Sequence, residues 1–565
     1  MTTPKFVCTN WSPEHPTCKK EGTFTCKNCL LVIYCGAECQ KSHWPEHKVE
    51  CKSNLAREDW QPSWMLEERA PEFVDNSGGE LFGGQKYLWG NVPAYDVLKL
   101  GSNEGEGYAK NLNVIFAAAG DLRNVVKTIV DLPTSYNHGL TIRINDFDID
   151  LVARNVIILL IALVVDDKDE AVDCIIHVWY STLMRASDMV ILETRIRPLI
   201  RDVCDKVRNK PPEKHFSRNW EFGDRSLRVI LTPPQWNHVL RFLEKPVGLN
   251  AERVRQIHTA TTLAHSRRDY RDRYMTFLSP SQRLCFYKFR EDGLLLPFGY
   301  PRHEFTEPNP TFFQDTDTWP MKDNADPLTS WSLEEVLRTS SGPATADVYG
   351  KLLFYLRGQF HSFLNRIQNL RIQLMILNFN PKDLPDRVEK DFYSRIEVSG
   401  IADAGALGIH RTLNLMVPLL QSPLQNPHAT LITLFLNTVN DTLTAQDKLQ
   451  SVSMTGREMK SLFEYLPPNG CPIDGFETGV VKFTFAREIV GKYDHVFDRF
   501  MKKTGFKEAG EKFGVKMKEK HTVIEEWPFR LKLRPGQPGA QEEFDRSMRE
   551  GISGKERYVE WKKIH

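Results

Sequence analysis

The chain has 565 residues, 41% of them hydrophobic and 26% charged, and its 74 Lys and Arg nearly cancel its 73 Asp and Glu to leave a formal net charge of +1. This is the composition of a globular protein with a sizeable core. The balance excludes the overall basic footprint of a nucleic-acid binder or of a protein held on acidic membranes.

The opening, MTTPKFVCTNW, has no basic segment followed by an apolar stretch, so no secretory leader is expected. Seven of the 11 cysteines precede residue 52, while Cys174, Cys204, Cys285 and Cys471 are scattered. A disulfide framework would distribute them differently. A reducing compartment, cytoplasm or nucleus, is therefore expected.

The first element is a cysteine-rich module over residues 8–51. Its candidate ligands fall into pairs: Cys8 with Cys18, Cys26 with Cys29, Cys35 with Cys39, and His47 with Cys51. A Cys-x-x-Cys turn aims two thiolates at one ion, and residues four apart on a helix share a face. Eight donors satisfy two tetrahedral zinc ions completely, leaving no vacancy for water or substrate, which is the signature of structural rather than catalytic zinc. Cys39, His43, His47 and Cys51 form a four-residue ladder, so spacing alone leaves His43 as an alternative to His47. Lysines 19, 20, 27 and 48 are offset by glutamates 14, 21, 38, 46 and 50, which argues against a DNA-reading finger.

The segments CKNC, YCGAEC, Cys39-Gln40 and HWPEHKVEC together resemble the MYND-type zinc finger. The resemblance implies a cross-braced fold in which Cys8, Cys18, Cys35 and Cys39 hold one zinc and Cys26, Cys29, His47 and Cys51 the other. It also implies docking of partner proteins through proline-containing peptides. One departure is visible: nine residues separate Cys8 from Cys18 where the family has two. That makes Cys8 the least secure ligand, with His15 as its substitute.

Residues 52–84 carry Pro, Gly and isolated aromatics without periodicity and read as a linker. An α/β domain is then expected to begin at residues 85–165. LNVIFAAAGDLRNVVKTIVDL reads as a strand over residues 112–117, a small-residue turn and a helix. LTIRINDFD gives a second strand over 140–144, and the run after it, apolar over residues 156–165, is a buried helix too short to span a bilayer. Strand, helix, strand in this order implies a parallel sheet. Residues 166–385 read as a mainly helical insertion, residues 386–500 as the second part of the α/β domain, and residues 501–565 as a charged tail.

The turn around Gly120 sits at the carboxyl end of a strand, where doubly wound sheets bind ligands, and Asp146 ends the next strand. Gly120, Asp121 and Asp146 are thus the candidate cofactor residues in the layout of a Rossmann-like, S-adenosylmethionine-dependent methyltransferase. Phe116, Ala118 and Leu122 stand where that layout wants an acid and two glycines. The competing reading makes Gly120 a plain turn residue, Asp121 a helix cap and Asp146 a strand-end acid. Asp403, in VSGIAD, is the acid of the later strand-end loop. No catalytic signature is present: no Asn-Pro-Pro-Tyr, nucleophile elbow, P-loop, His-Glu metal helix or SET-type Asn-His-Ser run.

LWGNVPAYDVLKL, NLNVIFAAAGDLRNVVKTI, INDFDIDLVARNVIILLIALV and SRIEVSGIADAGALG together resemble a fungal family that joins a MYND finger to an uncharacterised α/β domain. A similar domain occurs in a dynein-arm assembly factor, where it looks like a methyltransferase relic. The resemblance implies a zinc-bearing adaptor or assembly factor. The alternative is an active methyltransferase whose finger recruits substrate.

Overall fold

The computed structural model describes residues 6–11, 18–75, 82–452, 456–467, 476–551 and 553–564. His15 and Cys471 lie outside them. In the amino-terminal module a short hairpin pairs β1 (Phe24–Thr25) with β2 (Ile33–Tyr34) and is followed by helix α1 (Ala37–Cys51).

The expected βαβ unit is present as β3 (Leu112–Phe116), α2 (Arg123–Asp131), β4 (Leu140–Asn145) and the buried helix α3 (Ile149–Val164). Successive side chains of β3 point to opposite faces. Leu112, Val114 and Phe116 enter one core, and Ile115 and Ala117 the other. A strand buried on both faces must be apolar throughout, which is why LNVIF carries so little polarity.

Further along run β5 (Leu183–Arg185), β6 (Phe216–Phe222), β7 (Arg225–Leu231), β8 (Phe305–Pro308), β9 (Ile372–Leu377), β10 (Arg395–Glu397), β11 (Thr430–Phe435), β12 (Val515–Met517) and β13 (Arg557–Lys563). β5 and β8 form a separate antiparallel pair. The others join β3 and β4 in one nine-stranded sheet of order β12-β13-β11-β10-β3-β4-β9-β7-β6. Strands β11, β10, β3, β4, β9 and β7 are mutually parallel. The edges are antiparallel, β6 against β7 on one side and β13 against both β11 and β12 on the other.

The sheet is therefore mixed rather than wholly parallel, and two segments differ from expectation. Residues 166–385 are not only helical, because they contribute β6, β7 and β9. The hairpin β6–β7 turns through Gly223 at φ +65°, a conformation glycine adopts without strain. Its outer strand faces water on one side and so carries the polar residues that hide it in the sequence. The 501–565 segment is likewise no simple tail, since it supplies β12 and β13. Its charge is partly internal: Glu560 is fully buried on β13, and Lys518 Nζ lies 3.0 Å from its carboxylate.

The 52–84 stretch is packed over its described residues rather than slack. Trp64 is buried, Ser63 donates its N–H and hydroxyl to Asp272, and Arg69 pairs with Asp269 at 2.5 Å. No helix of the described residues is long and apolar enough to cross a membrane.

Candidate metal centre and the strand-end turn

Cys8 is held in place by its N–H on the Lys20 carbonyl, Cys18 by its N–H on the Asn10 carbonyl, and Cys26 by its N–H on the Val32 carbonyl. A tight turn closes Cys26 to Cys29, with Leu30 at φ +57° and its N–H on the Cys26 carbonyl. The result is two clusters, Cys8/Cys18/Cys35/Cys39 and Cys26/Cys29/His47/Cys51, in each of which the four donor atoms lie within 4.8 Å of one another.

Zinc–sulfur bonds of about 2.3 Å in a tetrahedron put neighbouring sulfurs about 3.8 Å apart. The observed separations are 3.9 Å for Cys18–Cys35, 3.8 Å for Cys26–Cys51, 3.4 Å for Cys35–Cys39 and 3.4 Å for Cys29 Sγ to His47 Nε2. One set of four cysteines, and one of three cysteines with a histidine, therefore fit two zinc ions. Helix α1 donates to both, Cys39 to the first and His47 with Cys51 to the second. Cys39 and His47 are roughly 12 Å apart along its axis.

His43, the spacing alternative, belongs to neither set. Its Nδ1 lies 3.0 Å from the Tyr34 hydroxyl, and burial holds the ring below the ordinary imidazole range. Without a metal the buried thiols share protons. The hydrogen bond from Cys29 draws Cys26 down to about 3, its counterpart pushes Cys29 up, and burial raises Cys8 and Cys51. A dication removes that constraint by letting all the thiolates ionise together, so loading releases protons. Asn28 Nδ2 donates to Cys51 Sγ at 3.1 Å and to the Cys51 carbonyl at 3.2 Å, fixing that ligand from outside the set. Nothing in the motif spacing singles out Asn28.

The module is seated on the large domain. The Trp11 indole donates to the Gly299 carbonyl at 3.0 Å, and the Ser281 hydroxyl to the Cys29 carbonyl at 2.6 Å. Lys288 pairs with Glu50 at 2.5 Å. A Cβ on Gly299 would stand 2.5 Å from the Thr9 hydroxyl, so glycine is required by the closeness of this approach.

At the other candidate site, the strand order reverses between β3 and β10, each of which is continued by its successor on the opposite side. Such a switch point is where open α/β sheets take ligands. Gly120 has φ +61°, as its turn requires. Asp146 is folded back on that turn: one oxygen accepts the Gly120 N–H at 2.8 Å and the other the Asp148 N–H at 2.8 Å. The formal capping position is Leu122, but Asp121 Oδ1 also accepts the first N–H of the helix, that of Arg123, at 3.4 Å. Its carboxylate further accepts the Gly90 N–H at 2.8 Å and pairs with the Arg123 guanidinium at 2.5 Å, all of it buried. Asp403 accepts the N–H groups of Leu436 and Asn437 and the Thr438 hydroxyl. The three candidate acids are thus occupied by their own chain.

Comparison with known proteins bears on each region. Residues 16–51 match the family model of the MYND finger. The amino-terminal module is a MYND finger. Residues 88–184 match a domain of unknown function (DUF4470), which covers β3, β4 and the helices after them. Over 46 residues the chain is 48% identical to the N-lysine methyltransferase SMYD2 of Rattus norvegicus and of Mus musculus, and 46% identical to that of Homo sapiens. The matched stretch spans 8% of this chain and 11% of each of those proteins, so it concerns the finger alone. No solved structure matches the chain. A MYND finger is a protein-interaction module, and each of its two ligand sets supplies the four donors that a tetrahedral zinc takes.

Proposed function

We propose that the protein is an adaptor or assembly factor of the cytoplasm or nucleus. Its MYND finger docks partner proteins through proline-containing peptides, and a degenerate, methyltransferase-like α/β domain serves as the scaffold behind it. The observation that carries this reading is the pairing of a finger whose ligand sets are complete with a switch point whose acids are already engaged. Asp146, the acid a ribose would need, is spent on Gly120 and Asp148, and Asp121 on Gly90 and Arg123. The kinship with fungal MYND proteins and with a dynein-arm assembly factor is part of the same proposal.

The second reading, a methyltransferase whose finger recruits substrate, is favoured by one feature, the reversal of strand order beside β3. Calorimetric titration of the full chain with S-adenosylmethionine separates the two. The adaptor reading expects no heat at about 1 mM cofactor. Micromolar binding that weakens in both Gly120→Arg and Asp146→Ala overturns it. In parallel, the full chain is expected to retain members of a proline-containing peptide array, and Cys26→Ser to lose them.

A further inference from the structure

A cavity of about 480 Å³ opens between the helix α4 (Arg268–Met275), the segment around Phe82–Asn91 and the turn at Arg549. It lies apart from both zinc sets, and its size is that of a small-molecule site. Its electrostatics are one-sided. The wall holds three carboxylates, and each already has a guanidinium: Asp323 has Arg267 at 2.8 Å, Asp326 has Arg290 at 3.2 Å, and Glu550 has Arg546 at 3.6 Å.

Three further arginines of the wall make no ion pair with a carboxylate among the described residues. Arg271 donates to the Ala264 carbonyl and Arg549 to the Asp545 carbonyl, while Arg273 has only the faces of Phe73 and Tyr270. Arg271 and Arg549 are half-buried, and burial presses both below the ordinary guanidinium range, as expected of cations drawn from water without a paired counter-charge, while Arg273 is exposed. Arg549 is tied to α4 because the Tyr274 hydroxyl donates to its carbonyl at 2.8 Å.

The rest of the wall is aromatic. Phe277 lies against Phe485 with ring centroids 5.0 Å apart, Tyr274 against Phe286 at 4.9 Å, and Arg267 covers Tyr270 at 3.7 Å. The buried Tyr270 hydroxyl has no hydrogen-bond partner among the described residues. Guanidiniums without paired counter-charges are suited to phosphate oxygens, which they grip bidentately. Aromatic walls are suited to a planar ring. A bare anion would leave the aromatic part of the cavity unused, and a neutral ring would leave the cations uncompensated.

We propose that this cavity binds a phosphorylated, ring-bearing small molecule of the nucleotide class, its phosphates held by Arg271, Arg273 and Arg549 and its ring by the aromatic wall. Calorimetry of the full chain with ATP, tripolyphosphate and adenosine tests it. ATP is expected to bind more tightly than either fragment. Arg271→Met and Arg549→Met should each weaken ATP about tenfold or more, the loss of a charge-assisted hydrogen bond. Arg273→Met alters an exposed side chain that only lies on the Phe73 and Tyr270 rings, so it should leave the melting temperature nearly unchanged and weaken ATP about tenfold. No heat from ATP at about 1 mM overturns the site. Equal affinity for ATP and tripolyphosphate overturns the ring assignment, and ATP binding unchanged in all three variants overturns the location.

Discussion

Replacing Cys26 by serine strips one thiolate from the set it shares with Cys29, His47 and Cys51, and leaves its backbone hydrogen bond to Val32 available. Structural zinc contributes about 10–16 kcal/mol to folding a finger. Divided over four donors, that is about 3 kcal/mol for each, or more than a hundredfold in affinity. Such a loss does not empty the site in ordinary buffer, so elemental analysis alone would miss it. The suitable assay is competition with a chromophoric chelator. The wild type is expected to hold two equivalents at a chelator level where Cys26→Ser gives up one. Because α1 carries Cys39 at one end and His47 with Cys51 at the other, the remaining ion should also leave at lower chelator than in the wild type. Identical two-step release curves for both proteins would refute the assignment of Cys26, and a zinc-free wild type would refute the centre as a whole.

Three more outcomes follow from the same geometry. Asn28→Ala removes the hydrogen bond on Cys51 Sγ and should lower the affinity for one ion about 10–100-fold in the same competition, with the other unchanged. Glu397, buried at the end of β10, is raised from 4.5 to about 7 by burial. A carboxyl raised on folding stabilises most at low pH and loses that contribution as pH rises through its folded value. Glu397→Gln should therefore be more stable than the wild type by about 3 kcal/mol near pH 8 and equal to it near pH 4, as read by denaturant unfolding. Arg395 and Glu104 form a bidentate pair at 2.9 and 2.7 Å with both side chains essentially inaccessible. Glu104→Gln leaves that guanidinium uncompensated and should cost about 3–5 kcal/mol, measured as a fall in the denaturant midpoint.

The zinc ligands were legible in the sequence because metal geometry is written in short spacings: the Cys26–Cys29 turn and the His47–Cys51 helical step are local. What spacing left open, His43 or His47, was decided by a tertiary neighbour, the Tyr34 hydroxyl. The central strands β3 and β4 were legible through their apolar residues, Leu112, Val114, Ile115 and Phe116 in one and Leu140, Ile142 and Ile144 in the other. Strands β6, β7, β12 and β13 were not, since they alternate and carry charge, and Glu560 is excused its burial by partners distant in the chain, Lys518 and the N–H groups of Thr522, Val523 and Ile524. Asp121 was legible only in part. Its contact with the Arg123 N–H is local, whereas its other backbone partner, the Gly90 N–H, arrives from 31 positions earlier.

The place of β13 in the sheet has a consequence during synthesis. β11 is complete at Phe435, yet the strand that covers its free edge begins at Arg557, and β12 reaches the sheet only through β13. At about 5–20 residues per second, roughly 6–25 seconds pass on the ribosome between the two. Throughout that interval TLITLF, six residues that are all buried in the finished fold, presents unpaired amides to whatever lies nearby. That interval is when the nascent chain is most open to pairing with the wrong strand.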